Sequence, residues 1–479
     1  MFRESSQSGP EAFRVNLGMS VVSPSTRRSA TALGIAFVIW AFVWDNARQA
    51  LGGVLNPTFV LPIPRGLKAV ETFAVLCFFV VVLVSPRRHP RQWVVGSTLL
   101  VMALLITLVS ATLSVAAGYS TYTAALYTSY AYFAPLFLAS IVAGFCCSSD
   151  DPSAILAVFE TLLIINALIA WYQFGIEHQW GDAVHGAMHD AHMYANVTWL
   201  GVLLALARLY YAPQKWKHSA ALIVLCAPTA WAAQFEMAEL VILAVVLGVL
   251  FGIVWVRSRR WRPLAIAVYA GALLGGVSAV RTDAAFLSKV GRLDVVVQNL
   301  ANLGILKGYA EAPSALVTTT FSALVGTGPG SYGSPNAVQP VLTGAEPSPL
   351  VKRFTGESYE LNEATRGFLG SFVEESTDVT ALLVEFGPLT LLCCFASLVL
   401  LVIRPAVRAL SNESRSIRVA GLWVIASTAH VVLISFGTAF YGWSASHAAV
   451  FPIVVTGALL TQQTSRVTAQ ATTPVANVL

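Results

Sequence analysis

Charge is what this sequence has least of. Only 11% of its 479 residues are Asp, Glu, Lys or Arg, where a soluble domain carries about 25%. With 56% hydrophobic residues, the chain has too little polar side chain to wet a surface, so lipid must solvate much of it. The net charge of +5 does not point to nucleic acid, because Lys and Arg cluster between apolar runs, a placement that speaks for membrane topology. Cysteine is scarce as well. Cys77, Cys146, Cys147, Cys226, Cys393 and Cys394 all lie in or beside apolar runs and none has C-x-x-C spacing, which argues against a disulfide framework and a thiolate zinc site. No HExxH zinc signature and no Gly-Lys-Ser/Thr phosphate loop appears. No internal repeat and no cleavable signal peptide is evident. The first 28 residues are polar, hold Arg3, Arg14, Arg27 and Arg28, and read as a cytoplasmic tail.

What is there is a recurrence of apolar stretches of about 18–25 residues, the length that spans a bilayer. Only helices suit them, because backbone groups in lipid must be satisfied within the segment. The expectation is an all-α polytopic membrane bundle of about twelve transmembrane helices with one long periplasmic loop. Spans are expected near 31–51, 67–85, 93–115, 123–145, 154–174, 194–211, 219–235, 237–256, 264–280, 378–403, 417–438 and 446–463. The chain thus divides into a tail (1–30), nine helices (31–280), a loop domain (281–377), three helices (378–463) and a second tail (464–479). The loops that hold Arg87, Arg88 and Arg91, then Lys215 and Lys217, then Arg257 to Arg262, then Arg404 to Arg418, fall on one side, so both termini are expected in the cytoplasm, with the chain in an inner (cytoplasmic) membrane. The turn with Arg48, Arg65 and Lys68 is an exception.

The long loop carries structure of its own. Leu287, Val290, Leu293, Val297 and Leu300 recur at helical spacing while Lys289, Arg292 and Asn299 share another face, as in an amphipathic helix at the interface. Basic side chains just outside a membrane can grip phosphates, and carboxylates beside them can take a proton. An ordinary solvated loop is the competing interpretation for most of these charges. GTGPGSYGS (326–334) is a Gly-rich turn whose N–H groups could approach an anion or a sugar, although a purely structural corner fits equally well. His185, His189 and His192, spaced i, i+4 and i+7 with His178 nearby, could hold a metal ion, but sugar- or phosphate-binding histidines, or idle ones, fit better. Among carboxylates in spans (Glu71, Glu160, Glu236, Glu239 and Glu385), Glu236 is a functional candidate and Glu160 suits a bundle-facing hydrogen bond.

Three stretches together resemble the O-antigen ligase/polymerase family of bacterial membrane glycosyltransferases, across about residues 150–400. HMYANVTWLGVLLALARLYY (192–211) looks like that family's Asn-containing entry to a long span. GRLDVVVQNL (291–300) followed by ALVGTGPGSYGS (323–334) looks like its Arg-Leu helix and G-x-G-x-G-x-[FY] turn. ESTDVTALLVEFGPLTLL (375–392) looks like its His-Asn-x-x-Leu…Glu-x-Gly segment, with Ser376 and Thr377 where the family has His and Asn. Gln234, Phe235 and Glu236 stand near its usual Ser-Arg pair.

The resemblance implies a polysaccharide polymerase or ligase. It would move a glycan from a polyprenyl-diphosphate carrier to the hydroxyl of a saccharide acceptor. No cofactor and no metal is demanded when Arg and Lys neutralise the leaving diphosphate. Arg292, helped by Arg281 and Lys289, would hold the diphosphate. Glu374, Glu375, Asp378 or Glu236 would serve as base. Gly326, Gly328, Gly330, Tyr332 and Asn196 would shape the substrate site. Two rival expectations remain: a transporter or flippase of lipid-linked saccharide, and a non-catalytic subunit among polysaccharide assembly proteins. Nucleic acid is not an expected partner; membrane lipid is.

Overall fold

The computed structural model describes residues 29–54, 63–85, 89–146, 150–179, 183–188, 191–233, 312–313, 316–317, 322–332, 378–437 and 447–471. All regular structure among them is helical. The helices are α1 (Ser29–Val54), α2 (Ile63–Val84), α3 (Arg91–Ala116), α4 (Tyr122–Phe145), α5 (Pro152–Gly175), α6 (Ala191–Tyr211) and α7 (Trp216–Ala233). After them come a short α8 (Ser322–Val325), α9 (Asp378–Leu398), a π-helical turn (Val399–Ile403), α10 (Arg404–Ala409), α11 (Arg415–Gly437) and α12 (His447–Ala471). Among the described residues, six helices are long and apolar enough to cross a membrane: α3, α4, α5, α6, the continuous run Val379–Ala409, and α11. Shorter apolar stretches lie in α1, α2 and α12. The expected spans at 237–256 and 264–280, the amphipathic helix at 287–300, most of the expected loop, and both tails apart from the start of α1 and the end of α12 lie outside the described residues.

The sides of the bundle follow from chemistry at the helix ends. Asp151 caps α5 by accepting the Ser153 N–H at 2.9 Å, with Pro152 in the first turn where its missing N–H costs nothing. Its neighbour Asp150 accepts both the N–H (3.2 Å) and the hydroxyl (2.8 Å) of Thr31, so α1 and α5 begin at one end, the near end. Trp93, in the first turn of α3, donates its indole N–H to Ser140 O late in α4, and Arg408 of α10 bonds Gln92, which brings those elements to the same end. Thr121 caps α4 at the opposite, far end.

Burial separates two kinds of helix. Every residue from His447 to Thr461 of α12 is buried, and α12 packs on α1, α4, α5, α10 and α11. By contrast α3 turns Val94, Val95, Met102, Leu105, Leu108, Val109 and Leu113 outward along its length. A continuous apolar surface of this kind has no place in water and suits contact with hydrocarbon. Inside, small residues let helices close up: a side chain on Gly201 would collide with Leu163, and one on Gly457 with Val402.

Candidate functional site

The far end holds the most constrained geometry among the described residues, and its origin is one proline. Pro388 sits inside α9 and has no N–H for the carbonyl of Val384, four residues back. Gly387 breaks the helix there with φ 74° and ψ 163°. Two carbonyls facing the bundle, Val384 and Glu385, therefore need donors from elsewhere. The Gly-rich turn supplies them. Thr327 N–H donates to Val384 O at 2.8 Å, Gly328 N–H donates to Glu385 O at 2.9 Å, and the Thr327 hydroxyl lies 3.1 Å from Val384 O. The Glu385 side chain completes the exchange. Its Oε2 accepts the Gly330 N–H at 2.7 Å and its Oε1 the Tyr332 N–H at 3.0 Å, in a site with no solvent exposure.

The alternating glycines are a steric requirement of this docking. Gly326, Gly328 and Gly330 have φ of 81°, 100° and 72°, the left-handed region that residues with a Cβ avoid. Each also faces a wall: a Cβ on Gly326 would strike the Glu385 carbonyl, one on Gly328 would strike Ser114 of α3, and one on Gly330 would strike Ala124 of α4. The turn is thus wedged among α3, α4 and α9. Ser120, between α3 and α4, anchors it by donating to Pro329 O at 2.8 Å, and the Thr327 and Ser331 hydroxyls lie 2.7 Å apart inside it. Tyr332 is buried with Val384 and Ala312. Beside Glu385, the Phe386 ring meets Tyr132 and Phe133 of α4 edge-on at 5.2 and 5.8 Å.

Two stretches singled out separately in the sequence therefore form one unit. The amides of Gly328, Gly330 and Tyr332 are engaged within the chain, so the turn shapes the far end and does not present those amides to an outside anion. Gly326, Gly328, Gly330 and Tyr332 are all buried here. Asn196 is buried in α6, 1% exposed, away from this unit in the sequence. Asp378 opens α9, so its backbone sits at the far end; its side chain lies outside the described residues. Arg281, Lys289, Arg292, Glu236, Glu374 and Glu375 lie outside them too, so the diphosphate cradle and three of the proposed bases have no described geometry.

Residues 183–188 fold back on α5. Gln173 Oε1 accepts the N–H groups of His185 (3.1 Å) and Gly186 (2.8 Å), and Asn166 Oδ1 accepts that of Ala187 (3.0 Å). His178 is exposed, His185 half-buried, and His189 lies outside the described residues. No group of three or more His, Cys, Asp or Glu side chains that could hold a metal ion occurs among the described residues.

Toward the near end, Glu160 of α5 receives both arms of the Arg208 guanidinium from α6, each at 2.7 Å, and meets His218 Nε2 of α7 at 2.6 Å. This is the bundle-facing partner expected for Glu160, and it knits three helices together. Two buried histidines escaped the sequence reading, which weighed only carboxylates among ionisable groups in spans. His447 stacks on Phe451 at 4.5 Å and meets Tyr130 edge-on at 6.0 Å; His430 lies fully inside the bundle in α11. The signal was present, since an ionisable side chain within an apolar span calls for a functional explanation whatever its sign. No protein-family model, no curated protein and no solved structure matches this chain.

Proposed function

We propose that this protein is a bacterial inner-membrane glycosyltransferase that moves a glycan from a polyprenyl-diphosphate carrier to a saccharide hydroxyl. The observation that carries the proposal is the docking of the Gly-rich turn onto the Glu385–Gly387 break. These are two of the three stretches by which the sequence resembles the O-antigen ligase/polymerase family, and they meet at the end of the bundle where α9 begins. In this reading the far end faces the periplasm. The turn and α9 form a rigid floor, and the loop brings Arg292, Arg281 and Lys289 over it to hold the diphosphate. The acceptor hydroxyl loses its proton to Glu374, Glu375 or Asp378 as its oxygen bonds the anomeric carbon. The anomeric carbon–oxygen bond to the carrier breaks, and the lipid diphosphate leaves with the electron pair. Guanidinium and ammonium groups lower the energy of that developing charge without a metal.

The test is the purified full chain with a polyprenyl-diphosphate-linked oligosaccharide, scored for lengthened or transferred glycan. Product that is lost in Arg292→Ala at normal protein level supports the assignment, and undiminished product in that variant refutes it. One observation favours a transporter instead: the break at Gly387 makes α9 a discontinuous helix, a feature that transporters use at binding sites. Uptake of lipid-linked saccharide into vesicles, with no glycosidic bond formed, would decide for that rival. A non-catalytic role in an assembly complex, which Ser376 and Thr377 favour by standing where the family has His and Asn, predicts neither product nor uptake.

A further inference from the structure

His430 is 1% exposed, and neither of its ring nitrogens has a hydrogen-bond partner among the described residues. A neutral imidazole carries one donor and one acceptor, and leaving both unmet inside a bundle is costly. Ser427, one turn away on the same face of α11, is fully buried, and its hydroxyl is likewise unmet among the described residues. A serine can turn back onto its own helix; an imidazole cannot, so the ring is the group that calls for a guest.

The register of α11 against α6 shows which residues stand level with His430. The helices run antiparallel. The Arg418 guanidinium lies over the Tyr211 ring at 5.1 Å, and the Trp423 indole N–H reaches Leu200 O at 2.9 Å. Carrying both pairings forward at 1.5 Å per residue puts His430 level with about residues 193–199 of α6. Asn196, 1% exposed, stands in the middle of that stretch, one turn from Leu200. Its amide carries both donors and an acceptor.

We infer that His430, Ser427 and Asn196 form a buried binding site for a neutral hydroxyl group in the far half of the bundle. An imidazole, a hydroxyl and an amide offer donors and acceptors without fixed charge, which suits an alcohol or water and not a phosphate. The hydroxyl has two sources, a water or a saccharide. The saccharide source rests on the transfer reading above; the water source stands without it.

The experiment uses the full chain labelled with 15N-histidine in lipid nanodiscs, with His430→Phe locating the His430 signals by difference. Both ring nitrogens are expected at hydrogen-bonded shifts. A cross-peak to water identifies the first source. A further shift on adding methyl α-D-glucopyranoside, absent in Asn196→Ala, identifies the second. A ring nitrogen at the unbonded shift that neither water nor the glucoside moves overturns the site. Thermal melting in detergent provides a second readout. His430→Phe is expected to lower the midpoint, while His430→Gln, which keeps a donor and an acceptor, retains most of it. A midpoint unchanged or raised in His430→Phe would show a ring merely packed in an apolar niche and would overturn the inference. Glycan product in the transfer assay with no glucoside response here would leave the transfer reading intact and remove only the saccharide source.

Discussion

Two buried carboxylates, one toward each end of the bundle, are held in opposite ways. Glu160 is matched by side chains, Arg208 and His218, whose own exposures are 16% and 55%. Glu385 is matched by backbone, the Gly330 and Tyr332 amides, and has no exposure at all. Side chains can swing away or be exchanged; a backbone amide cannot move without refolding the segment that carries it. The near-end cluster therefore clips three helices together, whereas the far-end one fixes the path of a loop.

Removing either carboxylate's partners tests that contrast. The largest effect is expected at Glu385→Gln, whose amide nitrogen would face an N–H with another N–H. The lost charge-assisted bond and the stranded donor together should cost about 3 kcal/mol, read as a lower melting midpoint in detergent. Gly326→Ala follows, at about 2 kcal/mol or more, because the new Cβ meets the Glu385 carbonyl and φ is 81°. Limited proteolysis of both variants should expose the segment around 326–332 while leaving α5–α7 intact. Cleavage at the wild-type rate would show that the docking does not hold the loop.

Arg208→Ala should cost about 2 kcal/mol by leaving Glu160 without its bidentate partner, and Glu160→Gln combined with it should recover part of that loss. A fully additive double variant would break the pairing claim. The smallest change, under about 1 kcal/mol, is expected at His218→Ala, since that side chain is half in solvent. A loss at His218 as large as that at Glu385 would erase the distinction between the two ends.

The six spans found among the described residues were legible in the sequence because bilayer thickness is a local constraint: each run of apolar residues carries its own evidence. The Gly-rich turn and the Glu385–Gly387 stretch were each visible, but their union was not. More than fifty residues separate them, and the partners of Glu385 are amides, which leave no mark in a side-chain pattern. Pro388 did carry a readable signal, because a proline within an apolar span frees the carbonyl four residues back and demands a donor for it. The Glu160 cluster was half legible. A carboxylate in a span needs a partner, but nothing local in the sequence connects position 160 to 208 and 218. The buried imidazoles were legible in principle, because His430 and His447 each stand in or at the start of an apolar run. The loop charges that the proposed chemistry needs are fixed by no periodicity, and lie outside the described residues.

Pro388 also sets an order of assembly. When the ribosome delivers α9 to the translocon, the segment carries a carboxylate and at least one carbonyl with no donor in its own helix. A charged side chain in a span disfavours insertion, at a cost that reaches about 2.5–3.5 kcal/mol at the helix centre. The turn that relieves this precedes α9 in the chain and has been synthesised earlier. Stable seating of α9 and docking of the turn are therefore coupled, because each satisfies polar groups that the other would leave unmet.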